Sequence, residues 1–388
     1  MTDGCPSVVW GALALRPEGS GVQTYQRELI HAASTLQSRY RFAAVVQEDA
    51  VGELSGGVQA IRRPVCSGAL RAVHGLRPVP GVGVFHSLDV DLPLGQRGAT
   101  VSTVHDMSVF DTPWAFGAVR ARGERALLRR SIQRADAVIA VSRFTAERVL
   151  ELTGRRATVT ALAPAGWVRV PEARELETVR ARYGLPEKFI LQLGTLEPRK
   201  NPHVVAEAAR ALGVPMVLGG AGTDGPDRPP GTIGLGYVDR TDVPALYRAA
   251  SVVSYASRYE GFGLPPLEAM ACGAVVAASA VGGIPESVGP GAVVVGRDTA
   301  EQWTRVLREL LEDADRRAEL RTAAARVVRS RTWRHVAEET LAVYDTLTSG
   351  GGARRDHRNG RPGQRHGNQI GRRERPGRRG PPPRRVRA

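Results

Sequence analysis

Residues 257–283 read SRYEGFGLPPLEAMACGAVVAASAVGG, and the rest of the chain is organised around them. Glu260 and Glu268 stand eight positions apart, with Gly261, Phe262, Gly263, Leu264 and the Pro265-Pro266 pair between them. An apolar run, Ser251 to Tyr255, comes before, and a second, Ala274 to Ala278, comes after. Both read as buried strands. Proline is tolerated in the first helical turn, because the N–H it lacks is unpaired there anyway. The pattern therefore predicts a helix that starts near Pro265, runs to Cys272 and stops at Gly273. Glu260 then lies on a loop at the carboxyl end of a strand, and Glu268 in the first turn of the following helix. The glycines leave backbone N–H groups unshielded, and the helix start adds partial positive charge. Such a pocket suits a polyhydroxyl ligand that carries a phosphate.

Taken singly, Glu268 reads equally well as a helix-start glutamate, and Glu260 as a solvated loop charge. Taken together with GFGLPPL between them and ACG behind, they resemble the Glu-x7-Glu signature of one family. It comprises the retaining, nucleotide-sugar-dependent glycosyltransferases of the glycogen-synthase-like superfamily, the "family four" or group 1 enzymes with the GT-B fold. The resemblance spans roughly residues 8 to 348 and is strongest in the second half.

Upstream, Phe189 to Leu193 (FILQL) reads as a strand, followed by Gly194-Thr195-Leu196-Glu197-Pro198-Arg199-Lys200-Asn201 and a helix from Pro202 to Leu212. Glycine, clustered cations and a helix start make a phosphate site on physical grounds. The chain has two lysines, Lys188 and Lys200, among 54 basic residues. Keeping a compact ammonium beside Arg199 in so arginine-biased a sequence suggests a need for that group. A cation there opposes the helix dipole, so a dianionic partner is expected. GTLEPRKN resembles the family's pyrophosphate segment, with one departure: many members carry arginine directly after the glycine, where this chain has Thr195. By the same resemblance Ile233 to Val238 (IGLGYV) would place Tyr237 and Val238 along the nucleotide base.

The first half alternates strands and helices, an α/β pattern. Val8 to Leu15 reads as a strand, Gly19-Ser20-Gly21 as a turn, and Val22 to Ser34 as a helix with Val22, Tyr25, Leu29, Ile30 and Ala33 on one face. The third glycine of a dinucleotide fingerprint is absent, since Thr24 stands there. Gly83 to His86, Ala99 to Val104 and Ala137 to Val141 read as further strands. A strand-end histidine such as His105 is often merely structural, but T-V-H-D resembles the family's strand end whose histidine reaches the donor sugar. Ser142-Arg143-Phe144-Thr145 is also typical of the family, with Ser142 an expected N-cap. A loop from Thr160 to Pro171 marks the domain boundary. Beyond the organising stretch come one or two helices within Thr299 to Val328, and an amphipathic helix from Trp333 to Thr348.

The composition is that of a soluble globular protein, 42% hydrophobic and 24% charged. The net charge of +15 is uneven: thirteen arginines follow Ser349 against two acids, Asp356 and Glu374. That Gly-, Arg- and Pro-rich tail has too little apolar surface to order itself. It lacks aromatics for base stacking, so nucleic acid ranks below contact with an anionic membrane and below no function at all. Three scattered cysteines, Cys5, Cys66 and Cys272, indicate neither disulfides nor a zinc site and fit a reducing cytoplasm. No apolar run approaches bilayer-spanning length, which leaves the inner membrane face as a peripheral location.

The expected fold is two Rossmann-like domains facing across a cleft. Residues 1–165, completed by the helix 333–348, form the first; residues 172–332 form the second; residues 349–388 form the tail. The resemblance implies that Glu268 holds the ribose, and that Glu260 with the N–H groups of Phe262 to Leu264 holds the sugar. Arg199 and Lys200 neutralise the departing diphosphate, while Gly21, Gly194 and Thr195 line the donor path and His105 meets the sugar from the other domain. No cofactor or metal is expected. The partners are a nucleotide-sugar donor, first guess guanine-activated mannose, and a hydroxyl acceptor on a sugar, glycolipid or lipid-linked glycan. The alternatives are a sugar-nucleotide epimerase of similar architecture, or a nucleic-acid-binding protein acting through the tail.

Overall fold

The computed structural model describes residues 7–17, 19 and 21–349; the basic tail past Ser349, together with Glu18 and Ser20, lies outside them. Two parallel sheets carry the fold. The first contains β1 (Ser7–Gly11), β2 (Arg41–Gln47), β3 (Gln59–Arg63), β4 (Val84–Ser87), β5 (Ala99–Val104), β6 (Ala137–Ala140) and β7 (Thr158–Val159), in the order β3-β2-β1-β4-β5-β6-β7. The second contains β8 (Ile190–Leu193), β9 (Met216–Gly219), β10 (Ile233–Gly234), β11 (Val252–Tyr255), β12 (Val276–Ser279) and β13 (Val293–Val295), in the order β10-β9-β8-β11-β12-β13. These are two Rossmann-like α/β sheets, as the sequence predicts.

Central strands such as β8 (ILQL) and β11 (VVSY) are buried along their whole length. Parallel strands are covered on both faces, which is why they read as continuous apolar runs. Helices α1 (Gly21–Thr35), α2 (Gly68–Gly75), α3 (Ser108–Asp111), α4 (Ala118–Arg134) and α5 (Arg143–Thr153) connect the first sheet. Helices α6 (Ala173–Tyr183), α7 (Pro202–Ala211), α8 (Val243–Ala249), α9 (Leu264–Ala271), α10 (Ile284–Val288), α11 (Ala300–Glu312) and α12 (Ala314–Arg329) serve the second.

The last helix, α13 (Trp333–Ser349), packs on α1 of the first sheet. Its buried Tyr344 hydroxyl lies 2.6 Å from His86 Nδ1 and accepts the Trp10 indole N–H at 3.0 Å. His86 Nε2 meets the Thr103 hydroxyl at 2.8 Å, and the Tyr25 hydroxyl meets the same oxygen at 3.0 Å. Burial lowers the His86 pKa to about 3, so its ring is neutral and belongs to the core.

Strand order reverses between β1 and β4 and again between β8 and β11. Connections diverge at such points and leave a crevice at the carboxyl ends of the strands, where ligands of open α/β sheets bind. The loops after β1, β5, β8, β10 and β11, with the helix α9, carry the residues picked out from the sequence.

Candidate functional site

The loop after β11 and the turn after β8 are tied together through Glu260. Its Oε1 accepts the Lys200 ammonium at 2.6 Å and the Ser257 hydroxyl at 2.8 Å, while Oε2 lies 3.3 Å from Arg199 Nη1. The same Arg199 nitrogen donates to the Tyr259 carbonyl at 2.9 Å, and the Arg258 N–H donates back to the Arg199 carbonyl at 2.8 Å. Burial alone would raise the Glu260 pKa, but Lys200 and Arg199 outweigh it and hold the carboxyl below its ordinary value. Arg199 itself sits on a short 3-10 turn, Pro198–Lys200, closed by Asn201 in the left-handed region at φ 45°. Asn201 stays there because its amide donates to both Asp298 oxygens, at 2.7 and 2.9 Å.

Lys200, for which the sequence reading expected a dianionic ligand, has a partner within the protein. Glu260 neutralises it, a partner sixty residues away that local reading could not supply. Two cations share the Glu260 carboxylate, and Arg199 has a second, more exposed partner in Glu197 at 3.4 Å.

Glu260 is followed by Gly261, whose backbone lies against the opposite domain. A β-carbon on Gly261 would come within 1.9 Å of the His105 carbonyl oxygen, so no side chain fits. Its carbonyl accepts the hydroxyls of both Ser142 and Thr145. Ser142 still caps α5, accepting the Thr145 N–H at 3.0 Å. Gly263 adopts φ 91°, which favours glycine, and delivers the chain into α9. The helix begins at Leu264, one residue earlier than expected. Glu268 consequently sits in the second turn rather than the first. Phe262 is buried beneath the Arg331 guanidinium, whose carbon lies 5.5 Å from the ring centre, so only its backbone can face a ligand.

Glu268 is 8% exposed. Burial pushes its carboxyl up to about 8, with the Ala165 backbone N–H opposing and Glu28 reinforcing the shift. It lines a cleft of about 580 Å³ together with Gly21, Gly194, Tyr237, Val238 and Leu264. The cleft is large enough for a nucleotide. Trp167, in the loop between the sheets, also lines it. Thr195 is exposed beside Gly194 and lines neither this cleft nor the next.

A second cavity of about 390 Å³ opens on the other side of the α1 start, lined by Val22, His105 and Arg199 among others. His105 Nε2 lies 2.9 Å from the Leu88 carbonyl. A carbonyl can only accept, so Nε2 carries a hydrogen there. The Tyr25 ring stands edge-on to His105 at 4.8 Å. Most of the predicted residues thus divide into three: Glu260, Arg199 and Lys200 at the centre; Glu268, Gly21, Gly194, Tyr237, Val238 and Leu264 around the larger cleft; and His105, with Arg199 again, at the smaller one, while Thr195 falls at neither cleft.

Sequence reading missed the groups that join the halves, notably Asp111, Asp106 and Tyr259. The Tyr259 hydroxyl donates to Asp111 and accepts the Met107 N–H at 3.3 Å. Arg148 holds the same Asp111 carboxylate through two nitrogens. Tyr259 stands next to Glu260, and that adjacency is the one signal the sequence offers for it.

Residues 230–327 match the family described as glycosyl transferases group 1. The chain is 30% identical over 316 residues to the O-antigen chain mannosyltransferase B of Escherichia coli, covering 74% of this chain and 81% of that protein. It is 38% identical over 200 residues to the D-inositol 3-phosphate glycosyltransferase of Salinispora tropica, covering 44% of this chain and 41% of that one. In fold it is similar to Anabaena Alr3699/HepE, whose structure is a complex with UDP-glucose: the TM-score is 0.67 at 17% identity, over 88% of this chain and 99% of the other. Among the described residues no helix is long and apolar enough to cross a membrane.

Proposed function

Because this chain belongs to the group 1 glycosyl transferases, enzymes of the GT-B fold, we propose that it moves a hexose from a nucleoside-diphosphate sugar to a hydroxyl acceptor, with retention at the anomeric carbon and without a metal. The observation that carries this reading is the sharing of Glu260 by Lys200 and Arg199 at the carboxyl ends of β8 and β11. A diphosphate entering from the larger cleft exchanges partners with Glu260. The cations turn to the phosphate, and the carboxylate is released toward the sugar hydroxyls. The start of α9 adds the N–H groups of Gly263 and Leu264, which have no helical partners, while Pro265 and Pro266 have none to give.

In the reaction the anomeric carbon–oxygen bond breaks and its electron pair leaves on the phosphate. The acceptor oxygen bonds to the same face of the sugar, and its proton passes to the departing phosphate oxygen. Negative charge grows on that phosphate, so Arg199 and Lys200 act most strongly in the transition state. Glu268 holds the ribose, and His105 steadies the sugar from the first domain. Mannose is the favoured sugar, supported by the mannosyltransferase among the relatives, and the product belongs to a glycan or polysaccharide.

The test is thermal stabilisation by a panel of guanine, uracil and adenine nucleotide sugars, followed by proton NMR of the product anomer in EDTA. Guanosine diphosphate mannose is expected to give the largest shift and an α product. Stabilisation by none of the panel, or an inverted anomer, would sink the reading.

A further inference from the structure

The smaller cavity differs from the nucleotide cleft in how its charges are spent. Its inner arginines are both committed. Arg71 of α2 donates to Asp89 at 3.0 Å and has Asp91 behind it at 3.6 Å. Arg199 lies between Glu260 at 3.3 Å and Glu197 at 3.4 Å. At the rim, Arg120 donates to Glu124 at 2.6 Å, with its own side chain 72% exposed. No guanidinium among the described lining residues stands without a carboxylate.

The carboxylates are in excess, however. Asp106 lines the cavity and accepts the Ser108 N–H at 2.8 Å through one oxygen. Glu197 is half exposed. His105 lines the same space. The same cavity is also lined by the apolar Val90, Val109 and Phe116. Hydroxyl groups donate well to such acceptors, and the C–H face of a sugar ring packs against such a wall.

We infer that this cavity is the acceptor subsite and that it takes a neutral polyhydroxyl sugar in preference to a phosphorylated one. The inference rests on the donor reading above, since it places the acceptor beside His105 and Arg199, opposite the nucleotide. A phosphate reaching the inner wall must pull Arg71 from Asp89 and from the buried Asp91. That move leaves two carboxylates without their cation, which is costly. A sugar breaks no pair.

The experiment compares matched probes in the presence of saturating nucleoside diphosphate: methyl α-mannoside against mannose 6-phosphate, and myo-inositol against inositol 1-phosphate. Binding is read by saturation-transfer NMR and titration. The neutral member of each pair is expected to bind at least about tenfold more tightly, a difference of about 1.4 kcal/mol. In Asp89→Asn, which loosens the hold on Arg71, the phosphorylated probes should gain and the ratio should narrow severalfold. Preference for the phosphorylated probes in the parent protein overturns the inference, and that measurement needs no variant to fold. So does a folded Asp89→Asn protein with an unchanged ratio, or failure of every neutral probe while nucleotide still binds. Loss of nucleotide binding itself would strike the donor reading instead, so the two failures are distinct.

Discussion

The Tyr259 hydroxyl lies 2.9 Å from Asp111 Oδ2 and donates to it. Tyr259 precedes Glu260 on the second domain, and Asp111 ends α3 on the first. The phenol is a strap between the halves, fastened beside the carboxylate that holds both cations. Arg148 fixes its anchor, with Nε 3.0 Å from the same Asp111 oxygen.

Tyr259→Phe removes that donor and the acceptor for the Met107 N–H while keeping the ring. A hydrogen bond to a charged group contributes about 1.5–3 kcal/mol, or roughly 10- to 150-fold. We expect kcat to fall by that order with a smaller change in donor KM, because the loop is misplaced only when the halves must be aligned. Steady-state kinetics decide it; an unchanged kcat would show that the strap is idle in turnover.

Gly261→Ala should be more severe. Its β-carbon would stand 1.9 Å from the His105 carbonyl, so the two surfaces must part. Misplacement by about 1 Å can cost on the order of 100-fold in rate. The variant should keep its circular dichroism, lose activity by at least that factor, and scatter X-rays as a more open molecule. Full activity would mean that the contact has room to give.

Lys200→Met should weaken nucleoside diphosphate binding roughly 10- to 150-fold and reduce turnover further. Part of that loss comes from Glu260, left with Arg199 and Ser257. A double-mutant cycle with Glu260→Gln separates the shares. Calorimetry showing unchanged affinity in folded Lys200→Met would remove the lysine from the donor site.

Glu268 has a folded-state pKa of about 8 against an ordinary 4.5, so folding favours its protonated form. That stabilisation is whole below about pH 4.5 and is lost as pH rises through about 8. Glu268→Gln, neutral throughout, should therefore gain on the parent in stability between about pH 5 and pH 8, by on the order of 5 kcal/mol at most, read as a widening difference in melting temperature. Ribose hydroxyls donate to the ionised form, so nucleotide binding to the parent should release a proton at pH 7 and tighten toward pH 8. A constant melting difference across this range, with no proton release, would contradict the assignment.

The fold was legible where burial is two-sided. Ala99 to Val104 is a strand with the bounds its apolar run indicates, and Phe189 to Leu193 misses by one residue. Val8 to Leu15 misled at its end: the strand stops at Gly11, yet Ala12, Leu13 and Leu15 stay buried in the turn beyond. An apolar run reports burial before it reports pairing. The edge strand β3 is hidden by Arg62 and Arg63, which break its pattern, whereas β2 carries the unbroken apolar run Phe42 to Val46 and was missed despite that signal. In the site, groups on one loop could be read together, as Glu260 and Glu268 were. Ser142, Thr145 and Asp111 could not, because they meet the loop only through the fold, more than a hundred residues away, and one sequence carries no trace of such contacts.

Tyr344 gives the order of synthesis a consequence. The first sheet holds Trp10 and His86 with polar atoms that find their partner in a hydroxyl near the end of the described chain. Domains generally fold from the N-terminus as they leave the ribosome, but this one must wait with its centre unsatisfied while the second domain is made. Only when α13 emerges can the first core close, so a nascent chain stalled before it carries a finished second domain and an unfinished first.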